Sequence, residues 1–351
     1  MATQPIRPGA GTLLDFAKSL DPDGKPARVA ELLTQSNEVL LDLPWIEGNL
    51  PTGHRTTLRT ALPTSTWRQL YQGVQPSKSD RAQITDSCGM LENRAELDKD
   101  MVELNGNVDA YRMSEAMAFL EGMNQDFVQT LVYGDVNINP ERFTGLTPRY
   151  NTLSVANPIS QNVISAGGAG ADNTSIWLCV WGEQTGHGIF PKGSTMGLVQ
   201  EDLGIIDAFD NQVPPARYRA YAERYQWKCG LTIRDWRYFV RICNIDVSDL
   251  VGQTATQSLA AATAINKLMV RAMARIPMMG MGKACFYGNR TVKEYLSVNA
   301  IDKSNAAALI QPATNQFGNV SPGSVAAGSL AFHGVPFRTI DRIVNNETLV
   351  T

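Results

Sequence analysis

The clearest pattern in the chain is an apolar stripe at three- and four-residue steps across residues 109–133. Its members are Met113, Ala116, Met117, Leu120, Met123, Phe127 and Leu131. This spacing places them on one face of an α-helix of about five turns, and Gly134 is well placed to end that helix. The stripe therefore predicts a long amphipathic helix whose Leu120 and Phe127 are buried within the subunit.

Other segments show the patterns of strands. Residues 175–182, "SIWLCVWG", indicate a buried strand, and residues 225–233 indicate a strand with one apolar face. That face is formed by Tyr225, Trp227, Cys229, Leu231 and Ile233. An Ala-rich helix over 254–275, a strand, turn and helix over 283–296, a loop or hairpin over 304–331 and a closing strand follow. This mixed order has no regular βαβ alternation and predicts an α+β fold.

The segment 46–90 differs from the rest, because it is rich in Thr, Arg, Ser and Gln. It alternates like a strand, yet neither face is apolar. Such a hairpin is marginal in isolation and is far longer than an ordinary loop. We therefore predict that it lies on a neighbouring subunit, and the alternative is an exposed loop without a partner. The candidate intersubunit contacts are Arg55, Arg59, Arg68 and Lys78.

A further unusual segment, "GDVNINPERFTGLTPRYNT", follows the helix at residues 134–152. It contains no His, no Cys and no nucleophile in a catalytic sequence context. Its Asn, Pro and Gly residues have the backbone preferences of turns. We expect it to lead the chain out of the helix and to fix the next segment, and not to form a catalytic site.

Composition narrows the class of protein. A chain of 351 residues suggests about two domains, and 43% hydrophobic residues are enough for a sizeable core. Charged residues make up 19%, below the ~25% of typical globular proteins. Either part of the surface is buried against other chains or the low fraction is chance. The net charge of −3 argues against tight, charge-driven binding of nucleic acid.

The cysteines and the N-terminus exclude several further classes. An odd number of cysteines without a CxxC spacing indicates reduced structural thiols, and not a disulfide framework or a zinc site. The N-terminus lacks the basic start and apolar run of a signal peptide. No segment reaches the ~18 apolar residues of a membrane span.

Candidate catalytic chemistry is sparse. His54, His187 and His333 are far apart and stand in no metal-binding spacing. His187, in "TGHG", could serve as a loop base in a soluble α/β enzyme, but a turn histidine is the preferred interpretation. The chain has no phosphate-binding loop, nucleophile elbow or zinc-protease motif. The sequence thus gives no positive sign of an enzyme, a cofactor or a metal site.

The chain reads as an N-terminal arm, a long polar β-loop, one long helix and a mixed α/β body. This order, with "YGDVNINPERFTGLTPRYN" after the helix and "GVPFRTIDRI" near the end, resembles the major capsid proteins of tailed bacteriophages. Those proteins have the Hong Kong 97-type fold, and the resemblance covers most of the chain by organisation. It implies an N-terminal arm over 1–45, an E-loop over 46–90, a peripheral domain over 91–248 and 332–351 with a spine helix over 109–133, and an axial domain over 249–331.

The resemblance also implies function and partners. The chain would assemble with itself, as pentamers and hexamers, into an icosahedral shell that contacts packaged double-stranded DNA weakly. Further partners would be a scaffolding protein, a portal and a decoration or cement protein, with assembly in the host cytoplasm and no cofactor. Non-covalent closure is expected, because Lys78 is the only lysine between Trp45 and Met90 and no matching asparagine is identified. An encapsulin-like compartment shares the fold and stays an alternative.

Overall fold

The computed structural model describes residues 35, 37–104, 107–209, 215–251, 255–301, 308–311 and 329–351. Most of the predicted N-terminal arm and most of the predicted loop or hairpin at 304–331 lie outside the described residues.

One sheet carries the polar segment and, within the described residues, has six strands. In pairing order they are β1 (Trp45–Glu47), β6 (Gly186–Phe190), β8 (Arg217–Ile233), β3 (Asp80–Asp98) and β2 (Gly53–Ala61), and β7 (Leu198–Phe209) also pairs with β8. The first part of β3 pairs with β2 and the second part pairs with β8. The polar segment is therefore joined to the body by one continuous strand.

A second sheet, of seven strands in the part of the chain that is described, lies in the main core. Its pairing order is β11 (Ala308–Gln311), β12 (Ser329–Phe332), β13 (Val335–Thr339), β10 (Lys283–Gly288), β5 (Asn173–Trp181), β9 (Phe239–Asp246) and β4 (Val163–Ser165). Every residue of β5 is buried, which confirms the strand predicted from "SIWLCVWG". β11 and β12, the described parts of the segment predicted as a loop or hairpin, pair antiparallel.

The described residues contain five α-helices, and two of them, the long helix and the Ala-rich helix, match the ends predicted from the sequence closely. The five helices are Lys99–Glu103, the long helix Val108–Tyr133, Val247–Val251, Ala255–Arg275 and Arg290–Ile301. The Asn107 side chain caps the long helix by accepting a hydrogen bond from the Ala110 N–H at 3.3 Å. The helix ends at Tyr133, directly before Gly134, as predicted.

The buried face of the long helix differs from the prediction in its first half. Phe127 is buried as expected, but Leu120 is 36% exposed, and Met113 and Met117 are more exposed still. This half of the helix packs on the first sheet through Ala116 and Met123 of the predicted stripe together with Phe119, so the buried strip lies to one side of the stripe. The predicted burial of Leu120 is therefore wrong. The sheet contacts only a narrow strip of the helix there, and a broad apolar stripe does not reveal which strip that is.

The main core joins the second half of the long helix to both sheets. Tyr225, Cys229, Leu231 and Ile233 of β8 are buried, which confirms the predicted alternation. Trp227, on the same face, is partly buried and stacks on Phe127 with ring centroids 4.4 Å apart. Stacked aromatic rings add to the free energy of burial, so Phe127 is a central contact between helix and sheet.

The cysteines are all free in the structure. Cys179, Cys229, Cys243 and Cys285 are buried, and Cys88 is half-buried. Burial raises the pKa of the Cys88 thiol to about 11, with Asp86 acting in the same direction. A thiol that stays protonated at neutral pH is a weak nucleophile. The expectation of structural thiols without a disulfide framework is consistent with this arrangement.

A buried ion pair holds the C-terminal segment against the second sheet. Arg241 on β9 donates to Glu347 at 2.8 Å, and both side chains are almost completely buried. Tyr133, at the end of the long helix, donates to the other oxygen of Glu347 at 2.5 Å, and Ser175 on β5 also donates to Glu347. The guanidinium of Arg241 further donates to the Tyr150 carbonyl at 2.9 Å. One carboxylate thus links the long helix, the second sheet and the end of the chain.

Candidate functional site

The most distinctive surface feature is a hairpin formed by β2, residues 62–79 and the first part of β3, residues 80–87. We call it the projecting hairpin. Its strands pair antiparallel from Gly53 opposite Ser87 to Ala61 opposite Asp80, with an irregularity between Arg59 and Ala61. Every residue from 61 to 78 is exposed. The hairpin predicted from the polar segment therefore exists, and its outer part is exposed.

The four candidate contact residues all lie along the projecting hairpin. Arg55 and Arg59 are exposed on β2, and Arg68 is exposed near the tip. Lys78 makes only an exposed ion pair with Asp80, at 3.6 Å. Arg55 donates to the Thr85 hydroxyl at 3.3 Å, but none of the three arginines pairs with a carboxylate of the described residues. The structure spreads these cations along the hairpin and does not gather them into one site.

The tip of the hairpin is more apolar than the sequence pattern suggested. Trp67 and Tyr71 are completely exposed, and Leu70 is 87% exposed. Leu62 and Val74 add to the same exposed tip. Exposed apolar groups that are clustered in this way mark interaction surfaces in soluble proteins. The sequence contains these apolar residues, but the overall composition of the segment is polar, so the sequence analysis did not single them out.

The base of the hairpin is buried and fixed, in contrast to the tip. Asp86 on β3 is almost fully buried and accepts hydrogen bonds from Arg149 at 2.7 Å and from the Thr232 hydroxyl at 2.8 Å. His54 on β2 is also buried, and Arg234 lies 3.4 Å from its Nε2 atom. We call these five residues together with His187 the hairpin root. Sequence reasoning missed the root, because its members are scattered along the chain.

The segment 134–152 supplies Arg149 to the root. Gly145 donates to the Gly134 carbonyl at 2.8 Å, and Leu146 donates to the Leu131 carbonyl at 2.9 Å, so the segment folds back on the end of the long helix. A Cβ atom on Gly145 would lie 2.5 Å from the Thr130 carbonyl oxygen, which explains the glycine. The segment therefore turns the chain out of the helix as predicted, and it also anchors the hairpin.

His187 is a buried strand residue, so its interpretation as a turn histidine is wrong. It lies on β6 opposite Thr232 of β8 and is fully buried. Neighbouring glycines hid the strand in the sequence; a Cβ on Gly188 would lie 2.8 Å from the Trp45 ring. The His187 ring meets His54 edge-on at 5.8 Å. An imidazole without solvent access is not the exposed loop base of the alternative enzyme hypothesis.

Acidification is expected to destabilise the subunit through His187. Burial, Arg234 and His54 lower the pKa of His187 to about 4 from its usual 6.5, and the Gly182 backbone and Asp86 oppose them. The unfolded chain therefore binds a proton between these pH values that the folded chain does not bind. The free energy of unfolding should fall by about 2–3 kcal/mol as the pH drops from 6.5 to 4.

The measurement is the urea midpoint of the isolated subunit across that pH window. His187→Gln should flatten the pH dependence, whereas His333→Gln, at an exposed position, should retain it. An unchanged pH profile in His187→Gln would contradict the assignment.

The described residues also bear on metal binding and on membrane insertion. Among the described residues, no group of three or more His, Cys, Asp or Glu side chains could hold a metal ion. No helix in the described ranges is both long and apolar enough to cross a membrane.

Comparisons with known proteins agree with this architecture. The family model for the major capsid protein GP7 matches residues 21–351. No curated protein matches the chain. A solved structure of bacteriophage Epsilon15 is similar over 100% of this chain and 99% of its own, with 31% identity and a TM-score of 0.71.

Two other solved structures are more distant. The capsid of bacteriophage JBD30 is 9% identical, with a TM-score of 0.43, over 89% of this chain and 92% of its own. An encapsulin from Synechococcus elongatus is 10% identical, with a TM-score of 0.40, over 62% of this chain and 92% of its own.

The Epsilon15 likeness extends over the whole chain. It confirms the α+β, Hong Kong 97-type capsid fold that the order of segments implied. With the family model matching nearly the whole length, this chain belongs to the major capsid protein GP7 family.

Proposed function

We propose that this protein is the major capsid protein of a tailed bacteriophage and assembles into the icosahedral shell around double-stranded DNA. Pentamers and hexamers of the chain are the building units. The observation that carries the proposal is the projecting hairpin, which has a buried, fixed root and a bare tip with a fully exposed Trp67 and Tyr71. A two-stranded hairpin is marginal alone, and contact with a neighbouring subunit would both stabilise it and cover its exposed apolar tip.

The division into domains follows the same proposal. Residues 1–45 form the N-terminal arm and 46–90 the E-loop, which contains the projecting hairpin. Residues 91–248 and 332–351 form the peripheral domain, and 249–331 form the axial domain. The ion pair between Arg241 and Glu347 supports placing the end of the chain with the peripheral part, because it joins β9 to the C-terminal segment.

Arg55, Arg59, Arg68 and Lys78 then act as intersubunit contacts. Their charges are exposed, and three of them have no carboxylate partner within the described residues. A single exposed ion pair stabilises by only about 0–1 kcal/mol, but the same contacts recur at every subunit of a closed shell. Closure is non-covalent in this proposal. A scaffolding protein, a portal and a decoration or cement protein are the further partners, with assembly in the host cytoplasm.

The DNA inside the shell is contacted weakly. A net charge of −3 provides no general attraction for phosphate. Weak contact also suits a container whose contents must leave. This distinguishes a role in enclosing a genome from one in binding specific nucleic-acid sequences.

Assembly of purified protein tests the proposal. We expect electron micrographs to show uniform shells, and a monomer or dimer at every concentration would contradict the proposal. In free subunits a protease should cut within residues 73–80, and in shells the same cut should be much slower. Equal cleavage rates in both states would show that the hairpin is not covered on assembly.

Charge reversal tests the contact residues directly. Arg55→Glu together with Arg59→Glu should abolish shells while the subunit stays folded, because both side chains are exposed. The matched control is Arg142→Glu with Lys192→Glu, which changes the net charge equally at exposed positions outside the hairpin. Normal shells from the hairpin variant, or equal loss in the control, would remove these arginines from the interface.

A further inference from the structure

A groove of about 920 Å³ lies between β2 and the segment that follows β8. Residues 54–60 of β2 form one wall, and Arg234, Trp236 and Arg237 form the opposite wall. We call it the root groove, because His54 and Arg234 of the hairpin root line it. Sites for small molecules commonly have volumes of about 300–1,000 Å³. The root groove is therefore large enough for a small ligand.

The root groove carries an excess of positive charge. Arg55, Arg59 and Arg234 line it, and none of the three pairs with a carboxylate of the described residues. Arg237 is the fourth cation of the groove, and Asp235 already pairs with it at 2.6 Å. Three guanidinium groups thus remain without a counter-charge, which favours an anionic ligand.

Three buried polar atoms of the groove residues have no hydrogen-bond partner among the described residues. They are the Nδ1 atom of His54, the Oγ1 atom of Thr56 and the Nε atom of Arg234. His54 is almost completely buried, and all three residues line the root groove. Buried polar atoms in folded proteins are nearly always hydrogen-bonded, and an unpaired one costs free energy. A ligand that supplied the missing partners would remove this cost.

All three atoms can act as donors. The Nη2 atom of Arg234 lies 3.4 Å from the Nε2 atom of His54. A guanidinium group can only donate, so Nε2 accepts, and the neutral imidazole carries its proton on Nδ1. Burial and Arg234 lower the pKa of His54, against a smaller opposite effect of Asp86, which keeps the ring neutral at pH 7. The ligand must therefore provide acceptor atoms.

The number of donors distinguishes a phosphate from a carboxylate. A carboxylate has two oxygens in one plane, whereas a terminal phosphate offers three acceptor oxygens in a tetrahedral arrangement. The donors of the root groove come from two walls, so acceptors that point in several directions fit them better. Arginine is also the residue that binds phosphate most readily through paired hydrogen bonds.

We propose that the root groove binds a phosphate-bearing anion, whose oxygens accept hydrogen bonds from Arg234, His54 and Thr56. Arg55 and Arg59 attract the anion from the β2 wall. The phosphate can belong to a small free anion or to the backbone of a nucleic acid, because both present the same oxygens. All groups of the site lie within one subunit. The proposal therefore goes beyond the shell function and does not depend on assembly.

Calorimetric titration of free subunits with inorganic pyrophosphate tests the site. Arg234→Gln should weaken binding roughly 10- to 100-fold, because it removes a charged donor. Thr56→Val should weaken binding about fivefold. It should not lower the thermal midpoint of the free subunit, since the hydroxyl group has no partner among the described residues. The matched control is Arg142→Gln, which removes one exposed positive charge outside the groove and should bind normally.

A short DNA duplex and a short polyglutamate peptide are the comparison ligands. Tighter binding of pyrophosphate than of DNA, with the same loss in Arg234→Gln, identifies a free anion as the ligand, and the reverse order identifies a nucleic-acid backbone. No binding of either phosphate probe would overturn the proposal, as would equal binding by all variants or binding of polyglutamate alone. Shell formation enters none of these measurements, so failure of the site is distinguishable from failure of the proposed function.

Discussion

Replacing Glu347 with alanine is expected to destabilise the subunit by about 3–5 kcal/mol. The substitution leaves the guanidinium of Arg241 buried without its carboxylate, and it removes the acceptor of the Tyr133 hydroxyl. A buried charge without a partner bears the full cost of its lost hydration. The loss is measurable as a shift of the urea midpoint of the isolated subunit. It should also release the C-terminal segment, which amide hydrogen exchange at residues 347–351 would report.

A double substitution separates the charge effect from lost packing. Arg241→Met with Glu347→Leu removes both charges and keeps apolar volume in the site, and such replacements are often nearly neutral. We expect the double variant to be more stable than Glu347→Ala. If the double variant were the less stable of the two, the shape of the hydrogen-bond network would matter more than the balance of charge.

Phe127→Ala is expected to cost about 3–5 kcal/mol, whereas Leu120→Ala on the same helix should cost far less. Phe127 is buried against Trp227 of β8, with Trp45 and Phe143 also in contact, so its removal opens a cavity between helix and sheet. Leu120 is 36% exposed, so its removal opens no enclosed cavity. Leu120→Ala is therefore a matched control for the effect of losing an apolar side chain from this helix.

The thermal midpoint and the soluble yield of both variants are the measurements. Equal losses for the two substitutions would indicate that the first half of the helix is also packed within the subunit. If Leu120→Ala lowered the thermal midpoint of assembled shells but not that of free subunits, Leu120 would lie at a contact between subunits.

Local periodicity was sufficient to predict most secondary structure in this protein. The ends of the long helix, the fully buried β5 and the alternation along β8 follow from residues that are close in sequence, and the structure has all three. The order of arm, polar hairpin, long helix and mixed body led to the capsid fold through its resemblance to the major capsid proteins of tailed bacteriophages. Residues that are close in sequence determine these features, so predicting them requires no knowledge of contacts between distant segments.

The tertiary structure decided which surfaces are buried and which distant residues meet. Asp86 and Arg149 are 63 positions apart and Arg241 and Glu347 are 106 apart, so no spacing rule links either pair. The burial of His187 depends on β8 lying alongside a glycine-rich strand that looked like a turn. The exposure of the Leu120 side chain depends on how the helix is rotated on the sheet. Each of these outcomes is set by packing between segments distant in sequence, and that packing exists only once the chain has folded.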